Sequence, residues 1–382
     1  MPSLFTNNPF SYNHDVGRTY RNIRYGPYDM QRLNVYLNPT RLSGGNPVLA
    51  FSHGGAWTGL DKTSTIEGDR VVRLLFSYLL DSDNGEYPTS TVPFDIVSIE
   101  QRIQGHKLSA ATMTSTTFAN TPYEPIIEGT NPGYGPGTGT ISGPWYERTQ
   151  IDDIQNAYQW IKDNADRFGW DARKVVAGGY SAGAMGAMCA AFSPSRQYTT
   201  RERSTSRWDR FSNSKVLGVI NWVGEIDINP WFTAFTVTEF IFGTMESVSA
   251  NSRADMEKFC LIPDSSGNYT STSVKTPLCK SLSPVDLIAR ELPENSGVKI
   301  RSHYQLSDQT SANVTTYSSI PPYDKGGHDQ AQYALLDAHC ATYGIDHSGS
   351  VVDDTGTGPG YQLAWEGTLA GDYAWLSDLV DF

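Results

Sequence analysis

The segment that most constrains the fold is Gly179-Tyr180-Ser181-Ala182-Gly183, together with the residues on either side of it. Residues 173–178 form a short apolar run typical of a buried strand, and residues 184–191 form a run of small residues typical of a helix. A serine on so tight a turn takes a strained backbone conformation, and the flanking glycines remove β-carbons that would clash. The sequence therefore predicts that the Ser181 hydroxyl projects above the edge of a sheet.

A second motif lies far upstream of the first. Residues 48–52 read as another buried strand, and His53-Gly54-Gly55-Ala56-Trp57 follows at once. In enzymes with a nucleophilic serine on a G-x-S-x-G turn, an H-G-G segment between a strand and a helix supplies N–H groups for an oxyanion. Both motifs follow strands and stand in the expected order.

On these residues the chain resembles the α/β-hydrolase family. It is most similar to esterases and lipases that carry H-G-G-x-W, such as the hormone-sensitive-lipase-like and feruloyl-esterase-like groups. Residues 32–37 are similar to the second strand of that family, and Ser283-Pro284-Val285-Asp286 is similar to the S-P-x-D that follows its cap. The resemblance extends from about Tyr20 to the last helix. It implies an α/β fold, with a mostly parallel sheet of about eight strands flanked by helices.

The chain is expected to be a single domain, residues 1–382, with two special segments. Residues 225–282 contain many aromatic side chains followed by a polar loop, and we interpret them as a helical cap insertion. Residues 106–144 are rich in Gly, Thr and Pro and have little periodicity, so they predict a long loop.

Hydrophobic periodicity predicts the remaining elements. The predicted strands are residues 18–25, 32–37, 48–52, 94–99, 173–178, 216–223 and 298–304. The predicted helices are residues 66–80, 152–165, 184–191, 332–343 and 375–382.

A serine hydroxyl needs a base within hydrogen-bond reach, and the base needs an orienting acid. In the family, the acid and then the histidine follow the serine along the chain. His328 stands in a Gly-Gly-His loop before a helix, and Asp308 follows the strand of residues 298–304, so the resemblance favours these two. The alternatives for the base and the acid are His347, Asp324, Asp286, Glu225 and Asp227.

The chain departs from the family pattern near its end. The family histidine should follow the last strand, at about residues 355–365, and that stretch contains no histidine. Either the base has moved to the preceding loop, where His328 lies, or the chain is a catalytically weak relative.

The resemblance implies hydrolysis of carboxylic esters, with small to medium acyl or aryl groups, through an acyl-serine intermediate. Ser181 is the expected nucleophile, and the amides of Gly54, Gly55 and Ala182 are the expected oxyanion hole. No metal and no organic cofactor is expected. Two alternatives stay open: a peptidase or amidase of the same fold, and a non-catalytic binding or structural protein on a hydrolase scaffold.

Charge and hydropathy limit the classes of partner that the chain is expected to bind. The net charge is −12 and no basic run occurs, which disfavours nucleic acid because phosphates need Lys and Arg contacts. No apolar run is long enough for a transmembrane helix, and the first residues lack the basic and apolar regions of a signal peptide. The expected partner is a small-molecule ester. The chain is expected to be soluble, and to be cytoplasmic, or extracellular if a signal peptide has been removed. The sequence leaves open both the oligomeric state and the presence of a disulfide between Cys260 and Cys279.

Overall fold

A computed structural model gives the fold of the chain. It describes residues 18–26, 31–54, 62, 79, 92–101, 149–193, 215–227, 261–262, 274–275, 283–295, 297–305, 330–352 and 359–380. The strands within these ranges are β1 (Arg18–Arg24), β2 (Arg32–Leu37), β3 (Asn46–Ser52), β4 (Asp95–Glu100), β5 (Trp170–Tyr180), β6 (Gly218–Trp222), β7 (Leu261–Ile262), β8 (Val274–Lys275), β9 (Lys299–Gln305) and β10 (His347–Val352). The helices are α1 (Thr149–Asp163), α2 (Ala165–Phe168), α3 (Ala182–Phe192), α4 (Pro284–Asn295), α5 (Gln330–Tyr343) and α6 (Pro359–Val380).

Eight of the strands form one sheet in the order β1-β2-β4-β3-β5-β6-β9-β10. Strand β2 runs antiparallel to both β1 and β4, and every other neighbouring pair is parallel. The carboxyl ends of β3, β5 and β6 therefore meet at one edge of the sheet. The mostly parallel, eight-stranded sheet of the α/β-hydrolase fold is confirmed.

Both faces of the sheet are buried, as a parallel sheet requires. Along β3, Val48 and Ala50 belong to one apolar cluster, while Leu49 and Phe51 belong to the other. This alternation follows from the two-residue period of a strand. One cluster is covered by α1, α3, α4 and α5, and the other by α6.

Helix α3 lies deepest, and all eleven of its residues are buried. Its sequence, AGAMGAMCAAF, is apolar all round, which is the pattern of a helix enclosed on every side. Ile154 of α1 contacts it at Gly186, where a β-carbon would lie 2.7 Å from Ile154 Cδ1. The small side chains thus let neighbouring elements pack closely around α3.

The seven predicted strands and the predicted helices of residues 152–165, 184–191 and 332–343 agree with the structure to within a few residues, whereas α2, α4, β7 and β8 were not among the predicted elements. The last helix was predicted over residues 375–382, but α6 begins at Pro359. That prediction placed the start of the helix too late, because Pro359 and Gly360 have the composition of a turn and nevertheless begin the helix. Proline is well tolerated in the first turn of a helix, where its missing N–H has no partner to lose.

Several predictions lie outside the described residues. The loop of residues 106–144 does so entirely, as do Cys260 and Cys279, while the helix of residues 66–80 is described only at Leu79, which is helical. Within the predicted cap, β7 and β8 pair antiparallel. The cap and the single-domain organisation stay predictions. No helix in the described part of the chain is both long and apolar enough to cross a membrane.

A buried carboxylate, Asp95, ties together the amino-terminal edge of the sheet. It is fully buried at the start of β4. It accepts hydrogen bonds from Asn38 N at 2.6 Å, Trp170 Nε1 at 2.7 Å, Asn46 Nδ2 at 3.3 Å and Arg41 Nη1 at 2.5 Å. Burial raises the pKa of Asp95, while the Arg41 charge and the hydrogen bonds from Arg41, Asn38 and Trp170 oppose that rise. One side chain therefore links β4 to the β2–β3 connection and to β5.

We expect Asp95→Ala to lower the free energy of unfolding by about 3 kcal/mol, because it leaves the buried Trp170 and Asn46 donors and the Arg41 charge without their acceptor. Urea unfolding measures this change. The matched control is Asp346→Ala, which removes half of an exposed ion pair with Lys299 (3.2 Å). The control should change stability by less than about 1 kcal/mol. Equal effects of the two substitutions would contradict the role given to Asp95.

Candidate active site

Ser181 stands on the turn between β5 and α3, at the carboxyl edge of the sheet. Its backbone angles are φ 52° and ψ −127°, a region that residues with a β-carbon rarely adopt. Ser181 N donates to Trp222 O at 2.8 Å, and Ser181 O accepts from Met185 N at 3.1 Å. The strained turn is therefore held on one side by β6 and on the other by the helix. This is the conformation predicted for the serine.

The start of the H-G-G segment packs directly against this turn. A β-carbon on Gly54 would lie 2.9 Å from Tyr180 O and 3.4 Å from Ser181 Cβ. A β-carbon on Gly183 would lie 2.2 Å from His53 O. Glycine is required at residue 183 for this close approach of helix and strand. The structure thus brings the two sequence motifs together.

Ala182 is the first residue of α3, so its N–H belongs to the first turn of the helix. The N–H groups of a first turn have no partner within the helix, and the helix dipole favours negative charge there. Gly54 and Ala182 therefore flank Ser181 from two directions. The other predicted site residues, Gly55, His328 and Asp308, lie outside the described residues, as does the alternative acid Asp324.

The alternative base, His347, is engaged elsewhere. It is the first residue of β10 and therefore lies at the amino-terminal edge of the sheet, whereas Ser181 lies at the carboxyl edge. Its Nδ1 lies 2.9 Å from Asp337 Oδ1, and its Nε2 lies 2.7 Å from Ser302 Oγ. The Asp337 carboxylate accepts from Nδ1–H, which leaves Nε2 to accept the Ser302 hydroxyl hydrogen. Burial lowers the pKa of His347, although Asp337 opposes this. Both ring nitrogens thus stabilise the packing of β9, β10 and α5.

The alternative acids are positioned as follows. Asp286 lies in the first turn of α4. Asp227 follows β6, and its N–H is 3.3 Å from Gln332 Oε1 on α5. Glu225 also follows β6 and is fully buried. Burial raises the pKa of Glu225 to about 8. A carboxyl group that keeps its proton at neutral pH is poorly suited to stabilise an imidazolium.

Three polar side chains near the H-G-G segment were not anticipated from the sequence. Glu100 is the last residue of β4, Gln101 follows it, and Lys62 lies beyond the second motif. They contact His53 or one another at the same edge of the sheet as Ser181. The one available signal was the position of Glu100 at the carboxyl end of a strand, where polar residues of α/β proteins gather.

Acidic, histidine and cysteine side chains do not form a metal centre in the described ranges. No group of three or more of them is placed there to hold a metal ion. The described cysteines, Cys189 and Cys340, are buried thiols. Burial raises the pKa of Cys340 to about 12.

One family model matches part of the chain. Residues 147–293 match the model of the BD-FAE family, an esterase family with the α/β-hydrolase fold. The matched segment includes Ser181 and ends before Asp308. No curated protein matches the chain.

Solved structures share the fold over nearly the whole chain. A truncated form of a carbohydrate esterase from gut microbiota is 14% identical, with a TM-score of 0.53, over 96% of this chain and 99% of the truncated chain. The esterase Est2 of Thermogutta terrifontis with bound propionate is 13% identical, with a TM-score of 0.52, over 96% of this chain and 95% of its own. A bifunctional GH43-CE protein of Bacteroides eggerthii is 16% identical, with a TM-score of 0.53, over 95% of this chain. The chain spans 38% of that protein.

The buried carboxyl group of Glu225 predicts a pH dependence of stability. Its pKa is about 8 in the folded protein against an ordinary value of 4.5, so between these values the folded state holds a proton that the unfolded state has released. The wild type should therefore lose up to about 1.4 kcal/mol of stability per pH unit relative to Glu225→Gln over that range. Urea unfolding of both proteins at pH 5.5 and pH 7.5 measures the difference. Parallel pH profiles for the two proteins would rule it out.

Proposed function

We propose that this protein of the α/β-hydrolase fold, with its BD-FAE segment at residues 147–293, is a serine hydrolase that cleaves carboxylic esters. The observation that carries the proposal is the strained turn at Ser181 with the first glycine of the H-G-G segment packed against it. Backbone strain at a buried polar residue is characteristic of functional sites. The BD-FAE match and the esterases among the similar structures support the same reaction class.

In the proposed reaction, Ser181 Oγ attacks the ester carbonyl carbon and transfers its proton to the imidazole of His328. The carbonyl electron pair moves onto oxygen and forms an oxyanion. This intermediate collapses and expels the alcohol, which takes the proton from the imidazolium. A water molecule then attacks the acyl-serine, again losing a proton to the imidazole. The bond between the acyl carbon and Ser181 Oγ then breaks, the imidazolium returns its proton to Oγ, and the carboxylic acid leaves.

The amides of Gly54, Gly55 and Ala182 are proposed to bind the oxyanion. The position of Gly54 against Ser181 and of Ala182 at the start of α3 supports this assignment. Preorganised N–H donors stabilise the charge that develops on oxygen, and each such donor contributes about 2.7–4 kcal/mol to transition-state stabilisation.

His328 and Asp308 are the proposed base and orienting acid. Two observations support this assignment, because they argue against His347 as the base and against Glu225 as the acid. Both ring nitrogens of His347 are bound at the other edge of the sheet, and the carboxyl of Glu225 holds its proton at neutral pH. The chain between the end of β9 and the start of α5 carries both proposed residues.

The proposed substrates are small to medium acyl or aryl esters. Carbohydrate-linked esters are included because one similar structure is a carbohydrate esterase. A peptidase or amidase of the same fold is the second candidate. A panel of p-nitrophenyl esters, hydroxycinnamoyl esters, acetylated sugars and p-nitroanilides distinguishes these classes.

We expect a fluorophosphonate probe to label the wild type and not Ser181→Ala, because only the serine oxygen can attack phosphorus. Gel fluorescence and intact mass measure the label. Ser193→Ala is the matched control, since Ser193 is also 5% exposed but caps the far end of α3, and its labelling should persist. A folded wild type that takes no label would support the non-catalytic alternative.

We expect His328→Ala to lower kcat by roughly 10⁶-fold, as in other triads that lose the base. His347→Ala should retain kcat within a few-fold and mainly lower the melting temperature, because it removes two hydrogen bonds between packed elements. Steady-state kinetics and thermal unfolding measure the two effects. Full turnover by His328→Ala would show that another residue is the base.

A further inference from the structure

The H-G-G segment begins at His53, whose side chain is buried and faces strand β4. We propose that His53 is a positioning residue that orients the oxyanion-binding peptide after Gly54, and that Glu100 and Lys62 hold its ring in place. This inference rests on the proposed function, because it assigns a role within the same site.

The first step concerns the peptide group after Gly54. His53 Nδ1 lies 2.8 Å from Gly54 O, and a carbonyl oxygen can only accept, so Nδ1 carries the proton and donates. A trans peptide is planar, and its C=O and N–H point in opposite directions. A hydrogen bond that fixes the oxygen of Gly54 therefore also fixes the direction of the N–H on the other side of that peptide. That N–H belongs to Gly55, a proposed oxyanion donor.

The second step concerns the ring itself. Nε2 of His53 lies 3.7 Å from Glu100 Oε1, which is longer than a hydrogen bond, so the carboxylate attracts the ring only when both ring nitrogens carry protons. The other carboxylate oxygen of Glu100 accepts from Lys62 N at 3.0 Å and from Lys62 Nζ at 3.3 Å. The side chains of His53, Glu100 and Lys62 are at most 1% exposed. Charges so deeply buried need partners, and the Lys62 ammonium balances the Glu100 carboxylate beside the ring.

The third step concerns the ends of the segment. Gln101 Nε2 donates to His53 O at 3.1 Å, and Ser98 Oγ donates to Lys62 O at 2.8 Å. Side chains at the carboxyl end of β4 thus hold both residue 53 and residue 62, which bracket the rest of the motif. These bonds connect the segment to the sheet, and rigid elements position catalytic groups more accurately than loops do.

The network has a chemical consequence besides orientation. A hydrogen bond donated to a carbonyl oxygen polarises the peptide and strengthens the N–H of the same peptide as a donor. A buried ion pair contributes little net stability compared with well-packed apolar side chains. The contribution of Glu100 and Lys62 in this proposal is therefore the orientation of His53, and through it the strength of one oxyanion donor.

The test compares an ester with its thionoester, in which sulfur replaces the carbonyl oxygen. Sulfur is larger and accepts hydrogen bonds weakly, so the ratio of the two kcat/KM values reports the quality of the oxyanion hole. His53→Phe keeps a ring of similar size without a donor, whereas His53→Asn places an amide nitrogen where Nδ1 lies. Glu100→Gln removes the charge that faces Nε2 but keeps an acceptor for Lys62.

We expect His53→Phe to lower kcat for the ester about 10- to 100-fold with KM little changed, which is less than the effect of deleting an oxyanion donor. The ester-to-thionoester ratio should fall by about tenfold in His53→Phe, stay near the wild-type value in His53→Asn, and be intermediate in Glu100→Gln. A merely structural role would not change this ratio.

His303→Asn is the matched control. His303 is a fully buried histidine on β9 whose ring nitrogens lie 2.6 Å from Asp372 Oδ1 and 2.7 Å from Ser350 Oγ. This substitution should lower the melting temperature without changing the ratio. If His53→Phe does not fold, Glu100→Gln decides the question by the same ratio.

Two outcomes separate the inference from the proposed function. An active wild type whose ratio is unchanged in the folded His53 and Glu100 variants overturns the positioning role alone. A folded wild type that neither hydrolyses esters nor takes the fluorophosphonate label overturns the proposed function, and the positioning role with it.

Discussion

The close approach of helix α3 to the end of strand β3 is the contact on which the geometry of the candidate site depends. A β-carbon on Gly183 would lie 2.2 Å from His53 O and 2.4 Å from Ser52 O, so the helix reaches this position only because residue 183 is glycine. The approach lets α3 begin immediately after Ser181. Since every residue of α3 is buried, the helix cannot move outward without opening the core. Core packing therefore maintains the strain at Ser181.

Strand β4 carries a buried carboxylate at each end, and the two have different surroundings. Asp95 joins the strands and connections at the amino-terminal edge through four donors. Glu100 faces His53 and Lys62 at the carboxyl edge, where the candidate site lies. Strand β4, in the interior of the sheet, therefore connects the packing at its amino-terminal end with the candidate site at its carboxyl end. In parallel sheets, ligands and reactive residues commonly lie at the carboxyl ends of the strands.

The buried histidines show why residue type alone does not assign a role. His303 and His347 each have an acidic partner at one ring nitrogen and a serine at the other, which is the partner set of a catalytic base. Yet Ser302 is fully buried within β9, and both rings bridge β9 and β10 to the helices that cover them. Their hydrogen bonds stabilise the edge of the sheet.

The sequence by itself determined the positions of seven strands of the main sheet, of helices α1, α3 and α5, and of the tight turn at Ser181. These features are local, because hydrophobic periodicity and turn chemistry depend on residues that are near each other in the chain. It failed at the start of α6, where Pro359 and Gly360 have the composition of a turn but lie in the first turn of a helix.

Only the tertiary structure decided that Gly54 packs against Ser181 and that Glu100 and Lys62 face His53. It also decided that His347 is bound at the far edge and that Glu225 is buried deeply enough to keep its proton. These facts depend on strand order and burial, which bring together residues far apart in the chain. No local pattern records such contacts, since Glu100, Lys62 and Glu225 each look like an ordinary surface residue in their own stretch of sequence.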